Sequence, residues 1–274
     1  MKTWFITGAS RGFGARIAQL ALEHGDNVVA TARSTGSIRE NLGDRRNLFA
    51  ASLDVTSEEQ AQEAARQAVE RFGTIDVLLN NAGFGLVGAV EEASAAEVER
   101  LYRTNVFGLL TVTRAVLPQM RAQRSGRILN ISSIGGYRAG AGFGVYCSTK
   151  FAVEGLSEAL HAELEPLGIH VTVIEPGYFR TDFLDPSSLS SSGTRILDYD
   201  ATAGAVRERA SSLNHNQPGD PEKFAQQVVA FADVAQPPVR MPFGSDTLAA
   251  IEAKHVGDGD IIKKWRQVSV STDF

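Results

Sequence analysis

Short, predominantly apolar runs alternate along the chain with longer amphipathic ones. The short runs are Lys2 to Thr7 (KTWFIT), Asn27 to Thr31, Leu48 to Leu53, Ile75 to Asn80, Arg127 to Ser132 and Ile169 to Ile174, each of strand length and broken at its end by polar or small residues. Between them apolar positions recur at helical spacing, as Ile17, Leu20 and Ala21 do within Ala15 to His24 (ARIAQLALEH). Strands that alternate with helices predict a parallel sheet with helices on both faces, because each right-handed crossover must lie over the sheet.

The pattern changes after Pro176. Asp185 to Ser192 (DPSSLSSS) is rich in serine and the chain stays polar as far as Pro218, which predicts a mobile insertion within one domain and not a linker between two. A helix is expected to resume at Asp220-Pro221-Glu222, with an aspartate cap and proline in its first turn, and a last strand at Val239 to Phe243. No internal repeat is found. The expected organisation is a single domain over residues 1–274, with a substrate lid at 184–217 and a C-terminal extension at 244–274.

Composition removes several function classes. A chain of 274 residues that is 43% hydrophobic can bury a sizeable core, which excludes disorder as its general state. Its 27 basic and 32 acidic residues give a net charge of −5 without a dense basic stripe, so nucleic acid is not expected as a partner. The one cysteine, Cys147, has no companion for a disulfide, and the five histidines form no metal-binding pair, so no metal is expected. No apolar run approaches the roughly 20 residues needed to span a bilayer, and the apolar stretch after Met1-Lys2 is too short for a signal peptide. The cytoplasm is the expected address.

Chemistry-bearing residues gather where the predicted strands end. The first strand runs into Thr7-Gly8-Ala9-Ser10-Arg11-Gly12-Phe13-Gly14 and then a helix, the setting a phosphate-binding glycine loop requires, although the spacing Gly-x-x-x-Gly-x-Gly departs from the common dinucleotide fingerprint. Asn80-Asn81-Ala82-Gly83 closes the fourth strand at the edge where open α/β sheets bind ligands. Asn105 shares a helical face with Val98, Leu101, Leu109 and Val112, so a buried amide there needs a partner. Ser132 and Ser133 close the next strand, and Tyr146 and Lys150, four apart, share one face of the helix whose apolar positions include Val153, Leu156 and Leu160. An ammonium at Lys150 can stabilise a phenolate at Tyr146.

Taken together, TGASRGFG, NNAG, Asn105, the Ser132-Ser133 pair, Tyr146-Cys147-Ser148-Thr149-Lys150 and Pro176-Gly177 resemble the short-chain dehydrogenase/reductase family in order and spacing, from Lys2 to about Thr181. The resemblance implies a Rossmann-type doubly wound parallel sheet of seven strands in the order 3-2-1-4-5-6-7. It implies an NADP(H)-dependent oxidoreductase that interconverts a carbonyl and a secondary alcohol. Tyr146 would be the general acid/base, Lys150 would bind the nicotinamide ribose and lower the tyrosine pKa, Ser133 would hold the substrate oxygen, and Asn105 would anchor a water in the proton relay. Cofactor contacts would come from Gly8, Ser10, Arg11, Gly12, Phe13, Gly14, Arg33, Asp54, Asn81, Ala82, Gly83, Lys150, Pro176, Gly177 and Thr181.

NADP(H) is expected over NAD(H), because the second strand ends Val28-Val29-Ala30-Thr31-Ala32-Arg33, with Thr31 where an NAD-preferring member carries an acid. Arg33 and Arg11 offer guanidinium forks to a 2′-phosphate. Phe143, Tyr178 and Phe179, with Ser133 and Tyr146, predict a bulky, apolar carbonyl substrate. A homodimer or homotetramer packed through Arg100 to Gln119 and Lys150 to Leu164 is also suggested. The competing class is a nucleotide-sensing protein of the same fold, which would not need Ser133, Tyr146 and Lys150 together.

Overall fold

The computed structural model describes residues 1–274. Its first half runs β1 (Thr3–Thr7), α1 (Gly12–Glu23), β2 (Asn27–Ala32), α2 (Gly36–Leu42), β3 (Leu48–Ser52), α3 (Glu58–Phe72), β4 (Val77–Asn80), a short β5 (Gly85–Val87), α4 (Ala95–Tyr102), α5 (Leu109–Gln123) and β6 (Gly126–Ile131). The second half continues with α6 (Gly144–Leu164), β7 (Ile169–Pro176), a short β8 (Leu189–Ser191), α7 (Ala205–Leu213), α8 (Pro221–Phe231), β9 (Arg240–Phe243) and α9 (Ser245–Val270).

Seven strands form one sheet in the order β3-β2-β1-β4-β6-β7-β9, every pairing parallel. Counted without the two short strands, that is the expected 3-2-1-4-5-6-7. Strand residues alternate between two cores, because successive side chains of a strand point to opposite faces. Trp4, Ile6, Val28 and Ala30 meet Ile17, Ala21, Phe224 and Val228 of α1 and α8 on one face. Phe5, Val29, Leu78 and Ile128 meet Ala64, Ala68, Val112 and Val116 of α3 and α5 on the other. Covering on both faces is why the strand runs are apolar almost throughout.

The predicted cap at α8 is present: the Asp220 carboxylate accepts hydrogen bonds from the Glu222 and Lys223 amides at 2.8 and 3.3 Å, with Pro221 opening the helix. Two features depart from the sequence reading. The helical stretch around Asn105 is not one continuous helix but α4 and α5 joined by a wider, π-type turn over Arg103–Gly108. The serine-rich segment is not without regular structure: β8 pairs in parallel with β5, from Gly85 opposite Leu189 to Val87 opposite Ser191, and α7 follows. Arg207 of α7 also pairs with the buried Glu92, whose other oxygen accepts from the Ile196 amide at 2.9 Å. The C-terminal extension is one long helix, α9, which buries Thr247 near its start and is exposed from His255 onward. No helix is long and apolar enough to cross a membrane.

Candidate active site

The glycine loop is shaped by positions that only glycine fills without strain. Gly8 and Gly12 sit at φ of +65° and +57°, in the left-handed region. At Gly14 the constraint is proximity, since a β-carbon there would lie 2.4 Å from the Gly8 carbonyl oxygen and 2.6 Å from Asn81 Nδ2. The loop is tied to the NNAG turn: Asn81 Nδ2 donates to the Thr7 and Gly8 carbonyls at 3.0 and 3.1 Å, while Thr7 Oγ1 accepts from the Asn81 and Ala82 amides at 2.9 and 3.0 Å. These bonds hold the α1 N-terminus against the β4 turn, where its amides can meet an anion. The Phe13 ring turns to Phe179 and Phe224, with centroids 5.5 and 4.0 Å away, so it also closes the core beside the loop.

At the end of β2, Thr31 is fully buried and its hydroxyl donates to the Ile6 carbonyl at 3.1 Å. Arg33 is exposed at the cavity edge, and Asp54 is pinned by the amide and hydroxyl of Thr56 at 2.9 and 2.8 Å. Those bonds, with the Arg33 charge adding to them, hold the Asp54 carboxyl below its ordinary range. Arg11 is placed differently from the sequence expectation of a free guanidinium, because its Nη2 donates to the Ser187 carbonyl at 2.7 Å. It therefore bridges the glycine loop and the 184–217 segment.

Tyr146 lies in the first turn of α6 and Lys150 one turn on, both nearly buried. Lys150 Nζ donates to the Ile131 carbonyl at 2.8 Å and lies 5.8 Å from the centroid of the Tyr146 ring. Burial pushes the ammonium down to about 8, and the charge of Glu154 pulls the other way. Burial raises the Tyr146 phenol above its ordinary value, opposed by a hydrogen bond with Ser133. Among the protein's own groups desolvation thus outweighs the stabilisation of a phenolate expected from Lys150. Ser133, not Ser132, is the serine that meets Tyr146: Ser132 Oγ is buried under the following turn with no hydrogen-bond partner. Ser133 Oγ also accepts from the Gly135 amide at 3.0 Å, which fixes its position.

Asn105 is buried in the π-type turn, as its apolar helix face implies. Its Nδ2 donates to the Phe84 carbonyl at 2.9 Å and to Thr149 Oγ1 at 3.2 Å, and its Oδ1 accepts from the Phe84 amide at 3.1 Å. Only one lone pair of Oδ1 remains for a further donor, and a β-carbon at Gly83 would sit 3.1 Å from Oδ1 and 4.0 Å from Lys150 Nζ. A glycine at 83 keeps that gap open.

One cavity of about 1240 Å³ runs from Gly8, Arg33 and Asp54 past Gly83, Ser133, Tyr146 and Lys150 to α7, whereas Gly14 and Asn105 stand behind its wall. Pro176, Gly177 and Thr181 line it from the end of β7, and the Thr181 hydroxyl accepts from the Phe183 amide at 3.4 Å. Phe143 stands edge-on to Tyr146, centroids 6.1 Å apart. Of the other predicted substrate contacts, Tyr178 is 42% exposed, whereas Phe179 spends its ring on Phe13 and Phe224 as well as on the cavity. Sequence reasoning missed Phe183, 5.5 Å from the Tyr146 ring, and the Val206, Ala210 and Leu213 face of α7. The i, i+4, i+7 spacing of those three was the available signal for α7. Phe183, in a turn two residues after Thr181, gave none.

The short chain dehydrogenase family model matches residues 2–191. Over 275 aligned residues, 99% of both chains, the sequence is 37% identical to Oxidoreductase BOA17 of Botryotinia fuckeliana. It is 44% identical over 194 residues, 71% of this chain and 70% of the other, to 3-ketodihydrosphingosine reductase of Bacteroides thetaiotaomicron. A solved short-chain dehydrogenase from Streptomyces avermitilis matches all of both chains with a TM-score of 0.92 at 38% identity, so the likeness includes α9. Other solved structures of this fold hold NADP+, and another holds NAD. The glycine loop, the parallel strand order and these likenesses agree: the chain belongs to the short-chain dehydrogenase family of oxidoreductases, which bind nicotinamide cofactors.

Proposed function

We propose that the protein is an NADP(H)-dependent reductase or dehydrogenase that interconverts a bulky, apolar ketone and the corresponding secondary alcohol. The observation that carries it is the convergence of Ser133, Tyr146 and Lys150 on one cavity that begins at the glycine loop. The residues fit the cofactor: the bare α-carbon of Gly12 faces open space, Gly8 lets the loop seat closely against Asn81 and Ala82, and Gly83 keeps open the gap beside Asn105 Oδ1 and Lys150 Nζ. Bound NADP(H) supplies or accepts the hydride. In the reductive direction Ser133 donates a hydrogen bond to the carbonyl oxygen, and Tyr146 gives its phenolic proton to that oxygen as negative charge builds on it. Lys150 then favours the phenolate left on Tyr146 and holds the ribose, while Asn105 accepts from a water that returns the proton. Loss of NADPH absorbance with a panel of carbonyl compounds tests the whole assignment, and a panel without any turnover leaves the nucleotide sensor.

Preference for NADP(H) rests on Arg33, which is exposed at the cavity edge, and on the absence of an acid at position 31, where the Thr31 hydroxyl is spent on the Ile6 carbonyl. Arg33→Ala should lower kcat/KM with NADPH by roughly tenfold, the worth of one charge-assisted hydrogen bond, and leave kcat/KM with NADH little changed. A wild-type preference for NADH would overturn it.

Around Tyr146 the cavity is walled by Phe143, Phe183, Leu184, Val206, Ala210 and Leu213. Apolar walls favour apolar ligands, and the likeness to a 3-ketodihydrosphingosine reductase supports the same class. Aryl or long-chain ketones should therefore surpass acetone-sized or charged carbonyls in kcat/KM. We further propose that residues 184–217 act as a lid, so bound ligand should slow their proteolysis. Preference for a small charged keto acid, with unchanged cleavage, would count against both.

A homodimer or homotetramer packed through α5 and α6 completes the proposal. Phe107, in the turn leading into α5, and Phe151 on α6 are 55% and 43% exposed, apolar surface of a kind that subunit contacts cover. Light scattering is expected to give at least a dimer mass at micromolar concentration; a monomer mass would reject it.

A further inference from the structure

Behind the α6 site lies a second cluster of charge. Glu154, one turn after Lys150, and Glu175, near the end of β7, are 3% and 1% exposed. Arg240 of β9 joins them: its Nε lies 3.0 Å from Glu154 Oε2 and 3.6 Å from Glu175 Oε1, and its Nη2 lies 3.0 Å from Glu158 Oε1. The Arg240 guanidinium also sits 5.7 Å from the centre of the Tyr137 ring, which hydrogen-bonds His255 of α9. Glu154 Oε1, Glu175 Oε1 and Ser132 Oγ have no hydrogen-bond partner elsewhere in the protein. A β-carbon at Gly136 would fall 2.5 Å from Ser132 Oγ and 2.8 Å from Glu154 Oε1, so both atoms converge on that bare α-carbon, directly under the turn that carries Ser133.

We infer that Glu154, sharing one proton with Glu175, is the buried counter-anion that keeps Lys150 protonated and so positions it for the Tyr146 chemistry. Two buried carboxylates beside a single half-exposed arginine cannot both hold full charge at modest cost. Burial and the charge of Glu154 both raise the Glu175 carboxyl, which makes Glu175 the member of the pair that carries the proton. The only other charged groups facing Glu154 are Lys150 and Glu158 on its own helix and Arg240 from β9, with Tyr137 and His255 beyond. Lys150 donates to one neutral carbonyl, Ile131, and has no carboxylate within ion-pair distance, so Glu154 acts on it through space and is a positioning residue.

The inference rests on the assignment of Lys150 proposed above, and pH profiles separate the two. Glu154 favours the ammonium, so removing its charge lowers the Lys150 pKa further. Activity that needs the ammonium is present below that pKa and lost as pH rises through it. Glu154→Gln should therefore move the alkaline limb of kcat/KM to lower pH by about one unit. Glu175→Gln imitates the protonated acid and should leave the limb in place, whereas a merely structural pair would give both variants the same behaviour. Should Glu154→Gln not fold, Glu154→Gln/Arg240→Gln leaves neither charge unpaired and should move the limb the same way by less. A limb unmoved in either folded Glu154 variant, or moved equally by Glu175→Gln, overturns the inference. A wild-type activity that survives Tyr146→Phe instead removes the site assignment itself.

Discussion

Tyr146→Phe is expected to lose at least about 100-fold in kcat while NADPH still binds with nearly wild-type affinity. The hydroxyl is the only group removed. The ring keeps its contacts with Phe143 and Phe183, 6.1 and 5.5 Å away, so the wall of the cavity survives. Lys150→Ala should damage both quantities, because its ammonium lies 5.8 Å from the Tyr146 ring, where it is proposed to favour the phenolate, and also beside Gly83, on the path proposed for the ribose. It also leaves the Glu154 charge without its cation on the α6 side. Fluorescence titration with NADPH alongside steady-state kinetics separates the two variants. Retention of most activity in Tyr146→Phe would refute the acid/base assignment, and undisturbed NADPH binding in Lys150→Ala would refute the dual role of the lysine.

The parallel sheet with helices on both faces was legible because each parallel strand must be followed by a crossover long enough to cover the sheet, and those crossovers leave a helical period in the sequence, whereas the strand order came from the family resemblance. The grouping of the proposed catalytic side chains was legible for a related reason: Ser133 follows a strand, while Tyr146 and Lys150 stand one turn apart on one helix, so short spacings fix their geometry, and the roles proposed for them came from the family resemblance. Groups assembled from distant segments leave no such trace. The pairing of β5 with β8 joins two three-residue strands whose register depends on how residues 184–192 fold back. The partners of Arg11 and Phe13 come from residues far along the chain, Ser187, Phe179 and Phe224. Glu154, Glu175 and Arg240 come from a helix and two strands, and each alone reads as an ordinary surface charge. Asn105 stands between these cases: its burial was readable from the helix face, but the π-type turn and the two bonds to Phe84 were not.

Gly14→Ala should unsettle the whole cofactor end of the cavity, although it adds a single carbon. At this position the backbone is unstrained, so the effect comes from contact alone: the new carbon would lie 2.4 Å from the Gly8 carbonyl oxygen and 2.6 Å from Asn81 Nδ2. Neither neighbour can yield cheaply. The Gly8 oxygen belongs to a left-handed residue, and Asn81 Nδ2 is held by the Thr7 and Gly8 carbonyls. The first turn of α1 must therefore move away from the β4 turn, at a cost of about 1–3 kcal/mol, which lowers Tm by several degrees for a domain of this size. The same displacement takes the α1 amides away from the proposed pyrophosphate position, so NADPH affinity should fall at least about tenfold. Gly12→Ala provides the contrast, because nothing lies within 4 Å of its added carbon and its cost is only that of placing a side chain at φ +57°, about 1 kcal/mol. Calorimetry and NADPH titration of both variants should rank Gly14→Ala as the more damaging in each measurement. Equal melting temperatures, or wild-type NADPH affinity in Gly14→Ala, would show that the glycine loop tolerates the closer approach and that its seat against Asn81 does not govern cofactor binding.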